Sequence, residues 1–76
     1  MNTETIRTIC SILSEEPVSD SSFPVSQHIR IAVCITSGIG YTIQAFFQER
    51  FAFSVTDFEY ANAVRKFCRI IAVQNI

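Results

Sequence analysis

From Thr3 to about Glu15 the apolar residues Ile6, Ile9, Cys10 and Leu13 stand at i, i+3, i+4 and i+7, the spacing that lines one face of a helix. Thr3 is placed to cap its start. The period then changes. From His28 to Thr36 the chain alternates, with Ile29, Ile31, Val33 and Ile35 on one side and Arg30, Ala32, Cys34 and Thr36 on the other. β-Branched residues dominate this run, so it reads as a strand. Ser37-Gly38-Ile39-Gly40 holds both glycines of the chain and predicts a reversal, after which Tyr41 to Phe47 returns as a second strand. Gln48-Glu49-Arg50 makes a polar break, and Phe51, Phe53 and Val55 then alternate with Ala52, Ser54 and Thr56 as a third strand. Residues 16–27, with Asp20, Ser21, Ser22 and two prolines, read as a surface loop between the first helix and the sheet.

Thr56-Asp57-Phe58-Glu59 fits a capping box, in which Thr56 and Glu59 satisfy reciprocal backbone donors, and predicts that a second helix begins there. Tyr60, Ala61, Val64, Phe67, Cys68 and Ile71 form its apolar stripe, with Asn62, Arg65, Lys66 and Arg69 on other faces. The resulting order is αβββα. It describes a single α+β domain over residues 1–76, in two layers, with a three-stranded antiparallel sheet and the N- and C-terminal helices on one face. Short apolar runs also fit helical spacing, so a competing reading turns residues 25–36 and 41–51 into helices and gives an all-α, helix-turn-helix-like bundle.

Composition sharpens this picture. A chain of 76 residues has room for one core and buries only about 60% of the surface its unfolded form exposes. Yet 49% of it is apolar, with seven Phe, while 17% is charged against the roughly 25% usual for soluble proteins. The chain has more apolar material than so small an interior needs. A formal charge of −1 supplies no global field for nucleic acid or anionic membrane. No charged residue occurs from Ile31 to Gln48, which raises a small membrane protein as a reading, but Thr36, Ser37, Gly38, Gly40, Thr42, Gln44 and Gln48 interrupt the run and favour folded strands. Three widely spaced cysteines without a CxxC pair, and an opening Met1-Asn2-Thr3-Glu4-Thr5 lacking a basic flank and apolar run, predict a reduced, cytoplasmic chain.

The chemistry-bearing residues are sparse. Cys10 and Cys68 fall on the apolar stripes of their helices, where burial is expected, and Cys34 points with Arg30 to the opposite side of its strand. His28 is the only histidine and stands apart from any partner at catalytic or metal-ligand spacing. Asp57 and Glu59 read as first-turn residues of the second helix. Ser37-Gly38-Ile39-Gly40 lacks the lysine and following helix of a phosphate loop. The expectation is therefore no catalytic residue, no cofactor and no metal. Arg65, Lys66 and Arg69 form the one basic cluster and give an alternative function, contact with nucleic-acid phosphates from the C-terminal helix.

What remains is a surface. The predicted covered face takes Ile29, Ile31, Val33, Ile35, Tyr41, Ile43, Phe47, Phe51, Phe53 and Val55, which leaves Arg30, Ala32, Cys34, Thr36, Thr42, Gln44, Phe46, Ala52 and Ser54 on the other. A solvated sheet face normally alternates to charged or long polar residues. With one charge and an aromatic, this one suits contact with another surface. The leading expectation is a non-enzymatic protein-binding module, an adaptor or an inhibitor, acting through this face on another protein or as a homodimer. Phe46 stands at its centre, Arg30 and Gln44 at its rim, and Cys34 and Thr42 beside them. An inhibitor carried by a phage or mobile element fits the same features.

Overall fold

The computed structural model describes residues 1–74, as α1 (Thr3–Leu13), β1 (Ser21–Pro24), β2 (Ile29–Thr36), β3 (Gly40–Phe47), β4 (Arg50–Asp57) and α2 (Tyr60–Ala72). The fold is α+β, with two helices and an antiparallel sheet in the order β1-β2-β3-β4. The sheet has four strands where three were expected. The extra one, β1, lies inside the stretch read as loop, pairing Ser21 with Val33 and Pro24 with Arg30. An edge strand tolerates the missing Pro24 amide, which has no outer neighbour to serve. Asp20 carries the edge one step further, because its Oδ1 accepts the Ile35 amide at 2.8 Å. The all-helical alternative does not form, since residues 29–36 and 40–47 are strands paired over their full length. No helix among the described residues is long and apolar enough to cross a membrane.

Every fully buried large side chain lies between the sheet and the helices. Ile31, Val33, Ile43, Ala45 and Val55 from the sheet meet Ile9 and Leu13 of α1 and Ala63, Phe67 and Ile71 of α2. Phe67 is the largest of these, and Phe53 stacks on its ring at 5.2 Å. The stripe of α2 differs from the expected one by one position: Ala63 is buried and Ala61 exposed, because the helix turns its 60/63/64/67/71 side inward. On α1, Cys10 is exposed, not packed, and the burial falls on Ile9 and Leu13.

Helix caps also depart from expectation. Asn2, one residue earlier than Thr3, caps α1 by accepting the Thr5 amide at 2.8 Å. The Thr56–Glu59 capping box does not form, because strand pairing extends through Asp57 and holds Thr56 against Thr42, with their hydroxyl oxygens 3.0 Å apart. Helix α2 starts only at Tyr60, and the turn before it is held by Asp57, whose Oδ1 accepts the Glu59 amide and whose Oδ2 pairs with Lys66 at 2.8 Å. A three-residue mismatch in the start of a helix thus reflects a strand that wins the same residues through tertiary pairing.

Two reversals set the register. In the first, Gly40 has φ +106°, and a Cβ there would lie 2.6 Å from Phe58 Cα and closer still to the Asp57 carbonyl oxygen. In the second, Gln48 and Glu49 connect β3 to β4 as a two-residue turn with both φ values positive, at 53° and 63°. Such a turn matches the twist of the strands but favours Asn-Gly, since other side chains crowd their own backbone there.

Three outcomes follow. Gly40→Ala should lower the stability of the fold by about 2 kcal/mol or more in a denaturant titration, from left-handed strain and backbone overlap together. The double change Gln48→Asn with Glu49→Gly should raise it by about 1 kcal/mol; an unchanged or lower midpoint would show that this turn is not a source of strain. The Lys66 hydrogen bond, followed by that from the Glu59 amide, holds the Asp57 carboxyl below its ordinary value of 3.8. Its contribution to stability is present above that value and fades as pH falls through the depressed folded one. Asp57→Asn should therefore flatten the acid limb of a melting-temperature profile.

Candidate functional site

Because the helices lie on one side, the other side of the sheet faces outward across all four strands. Its rows follow from the register. Arg30, Phe46 and Phe51 stand side by side on β2, β3 and β4, and the next row is Ser22, Ala32, Gln44 and Ser54. Cys34, Thr42 and Thr56 make the third. Arg30, Gln44, Cys34, Thr42 and Phe46, singled out from the alternation, thus share one surface.

Phe51 joins them, against expectation. The predicted alternation through Phe51, Phe53 and Val55 placed all three toward the helices. The β3–β4 register shifts instead after Ala45–Phe53, so that Phe46 pairs with Phe51 and Ala52 has no partner. One unpaired residue reverses the side on which the chain projects. Phe53 and Val55 stay inward, and Phe51 turns outward with 57% of its surface exposed.

The Arg30 row is ordered by its own contacts. The guanidinium carbon of Arg30 lies 4.1 Å from the centre of the Phe46 ring, and Phe46 meets Phe51 edge to face at 5.9 Å. Arg30 also donates to the Ser22 hydroxyl at 3.0 Å, while Glu49 stands 3.9 Å from its Nε. Stacked on an aromatic and held from the β1 side, the guanidinium is oriented by contacts within the chain itself. Charge is otherwise scarce on this surface. The rest offers short hydroxyls, the Gln44 amide, and a Cys34 thiol that sits 3.9 Å from Gln44 Oε1.

Elsewhere the candidate chemistry disperses. Among the described residues no three His, Cys, Asp or Glu side chains gather as a metal-binding group. His28 is exposed at the mouth of β2. The basic cluster of α2 is divided: Lys66 is held by Asp57 and donates to the Thr56 carbonyl at 3.2 Å, and Arg65 donates to Asn62 at 2.7 Å. A shallow groove of about 340 Å³ runs between the end of α1 and β1, with Ile12 and Phe23 among its apolar walls and Glu15 and Glu16 beside them. It opens on the opposite side of the sheet from Phe46 and Phe51.

Signals for Phe51 and Ser22 were present but not separable from noise. A two-residue turn at Gln48-Glu49 places Phe51 opposite Phe46 by count alone, and only the apolar character of Phe53 and Val55 then demands the bulge. Ser22 needed the strand that Asp20, Ser21 and Pro24 disguise as loop. No protein-family model, curated protein or solved structure matches this chain.

Proposed function

We propose that this protein is a non-enzymatic binding module whose outward sheet face docks on another protein, as an adaptor or as an inhibitor that occupies the surface it covers. The observation that carries this reading is the Arg30–Phe46–Phe51 row, an oriented guanidinium and two partly exposed aromatic rings on a sheet face otherwise made of small, uncharged side chains. Aromatic and Arg side chains are where binding energy concentrates in protein interfaces, and preordered ones lose least entropy on docking. The surrounding hydroxyls and the Gln44 amide supply the polar rim such a contact uses. A homodimer is the same mode with a second copy as partner.

Nucleic-acid association through Arg65, Lys66 and Arg69 is the weaker reading, since Lys66 is already paired with Asp57 and a second acid, Glu59, stands just before the start of α2. The two readings depend on opposite sides of the molecule, so one set of variants separates them. Phe46→Asp and Phe51→Ser should each reduce association, with its partner or with itself, by at least about tenfold while leaving the circular dichroism spectrum unchanged. Reversal of Arg65, Lys66 and Arg69 to Glu should leave that association intact. The proposal fails if the face variants bind as the parent does, or if the helix variant alone loses binding together with a mobility shift on nucleic acid at low salt.

A further inference from the structure

Two of the three thiols stand on the adjoining flanks of the two helices, on the side of the molecule away from the proposed docking face. Helices α1 and α2 run antiparallel. The amino group of Met1, at the start of α1, donates to the Gln74 carbonyl just past the end of α2. At the other end, the Tyr60 hydroxyl on the first turn of α2 donates to the Leu13 carbonyl at 2.8 Å. That contact identifies the flank of α2 turned toward α1. Tyr60, Val64 and Cys68 occupy it at i, i+4 and i+8, all half-buried, beside the fully buried Ala63, Phe67 and Ile71. On α1 the flanking position is Cys10, next to the buried Ile9 and one turn before Leu13.

Helical side chains lean toward the start of their own helix. In an antiparallel pair, Cys10 therefore leans toward the end of α2 and Cys68 toward its start, so that the two thiols lean toward each other between the two tied ends. Both are reduced. Burial first, and then the charge and hydrogen bonding of Cys10, push the Cys68 thiol up to about 11. Cys34 lies on the far side of the sheet and cannot reach either.

We infer that Cys10 and Cys68 form a dithiol site that small-molecule disulfides oxidise to a reversible cross-link stapling α1 to α2. The exposed Cys10 thiolate attacks one sulfur of the disulfide, forming a mixed disulfide and expelling the first thiolate. Cys68, deprotonated as its proton passes to solvent, then attacks the Cys10 sulfur and expels the second. The protein loses two protons and two electrons, and the reagent, gaining both, leaves as two thiols. The division of labour follows from exposure: the accessible sulfur meets the reagent, and the sheltered one resolves the adduct. The bridge would close residues 10–68 into one long ring, and a longer ring restricts the unfolded state more.

The test is to incubate the reduced protein with oxidised glutathione and follow it by mass spectrometry, thiol counting and thermal melting. Two of the three thiols should disappear without retained glutathione, and a non-reducing digest should join the Cys10 and Cys68 peptides. The melting temperature should rise by about 10 °C or more and return on reduction. Cys10→Ser, at an exposed position, should keep the parent's reduced melting temperature and gain nothing from the oxidant. Glutathione retained on Cys10, a bridge through Cys34, linkage only between chains, or a melting rise that survives Cys10→Ser would each overturn the inference.

Discussion

A two-layer arrangement has one interior, and in this chain the two helices close it from a single side. Phe67 shows how completely: its ring is fully buried and stacked on Phe53, in a cluster with Ala63, Ile71 and the inward residues of the sheet. Burying side chains of this size is the main favourable term available to so short a chain, at roughly 25 cal/mol for each Å² of apolar surface removed from water. The helices are spent on that task. Nothing remains in the described residues to shield the far side of the sheet, so the character of that surface is fixed by whatever the alternation leaves there.

The bulge at Ala52 shows how the two sides are coupled. The tight turn at Gln48-Glu49 forces Phe51 opposite Phe46, while the core requires Phe53 and Val55 to face the helices. Unbroken alternation cannot satisfy both, because a strand that starts outward at Phe51 would also send Phe53 outward. One unpaired residue resolves the conflict and, as a consequence, sets a second aromatic ring beside the first on the open face. The row that carries the functional proposal is thus a by-product of closing the core around a short hairpin, and Arg30 completes it by lying across Phe46.

The same conflict explains what could be read beforehand. The strands β2 and β3 and both helices announce themselves through periodicity, since each buries one face and the apolar residues repeat at the matching interval. Of the open face, Arg30, Cys34, Thr42, Gln44 and Phe46 follow directly from that alternation. β1 does not, because an edge strand of four residues needs little apolar content and its Pro24 and serines carry the composition of a turn. The start of α2 was misplaced for a related reason. Thr56 and Glu59 form a sound local capping signal, but Thr42 offers Thr56 a cross-strand partner and the sheet takes it. At β1 and at the start of α2, non-local strand pairing overrode local chemistry.

Electrostatics separates the two sides as firmly as packing does. Glu49 stands beside Arg30, so the open face carries little net charge, whereas the exposed surface of α2 carries Arg65 and Arg69. A phosphate backbone binds chiefly through charge neutralisation and gains little from a balanced surface. Two aromatic rings, a guanidinium whose orientation is already set and a row of short hydroxyls offer instead dispersion, apolar burial and directional hydrogen bonds, which are the terms that grow when another folded surface excludes water. A partner that covered Phe51 would also bury the flank of Arg30, strengthening its contact with Phe46 as the local dielectric falls. The face therefore rewards complete coverage more than partial contact, which is the property that the proposed docking on another protein would use.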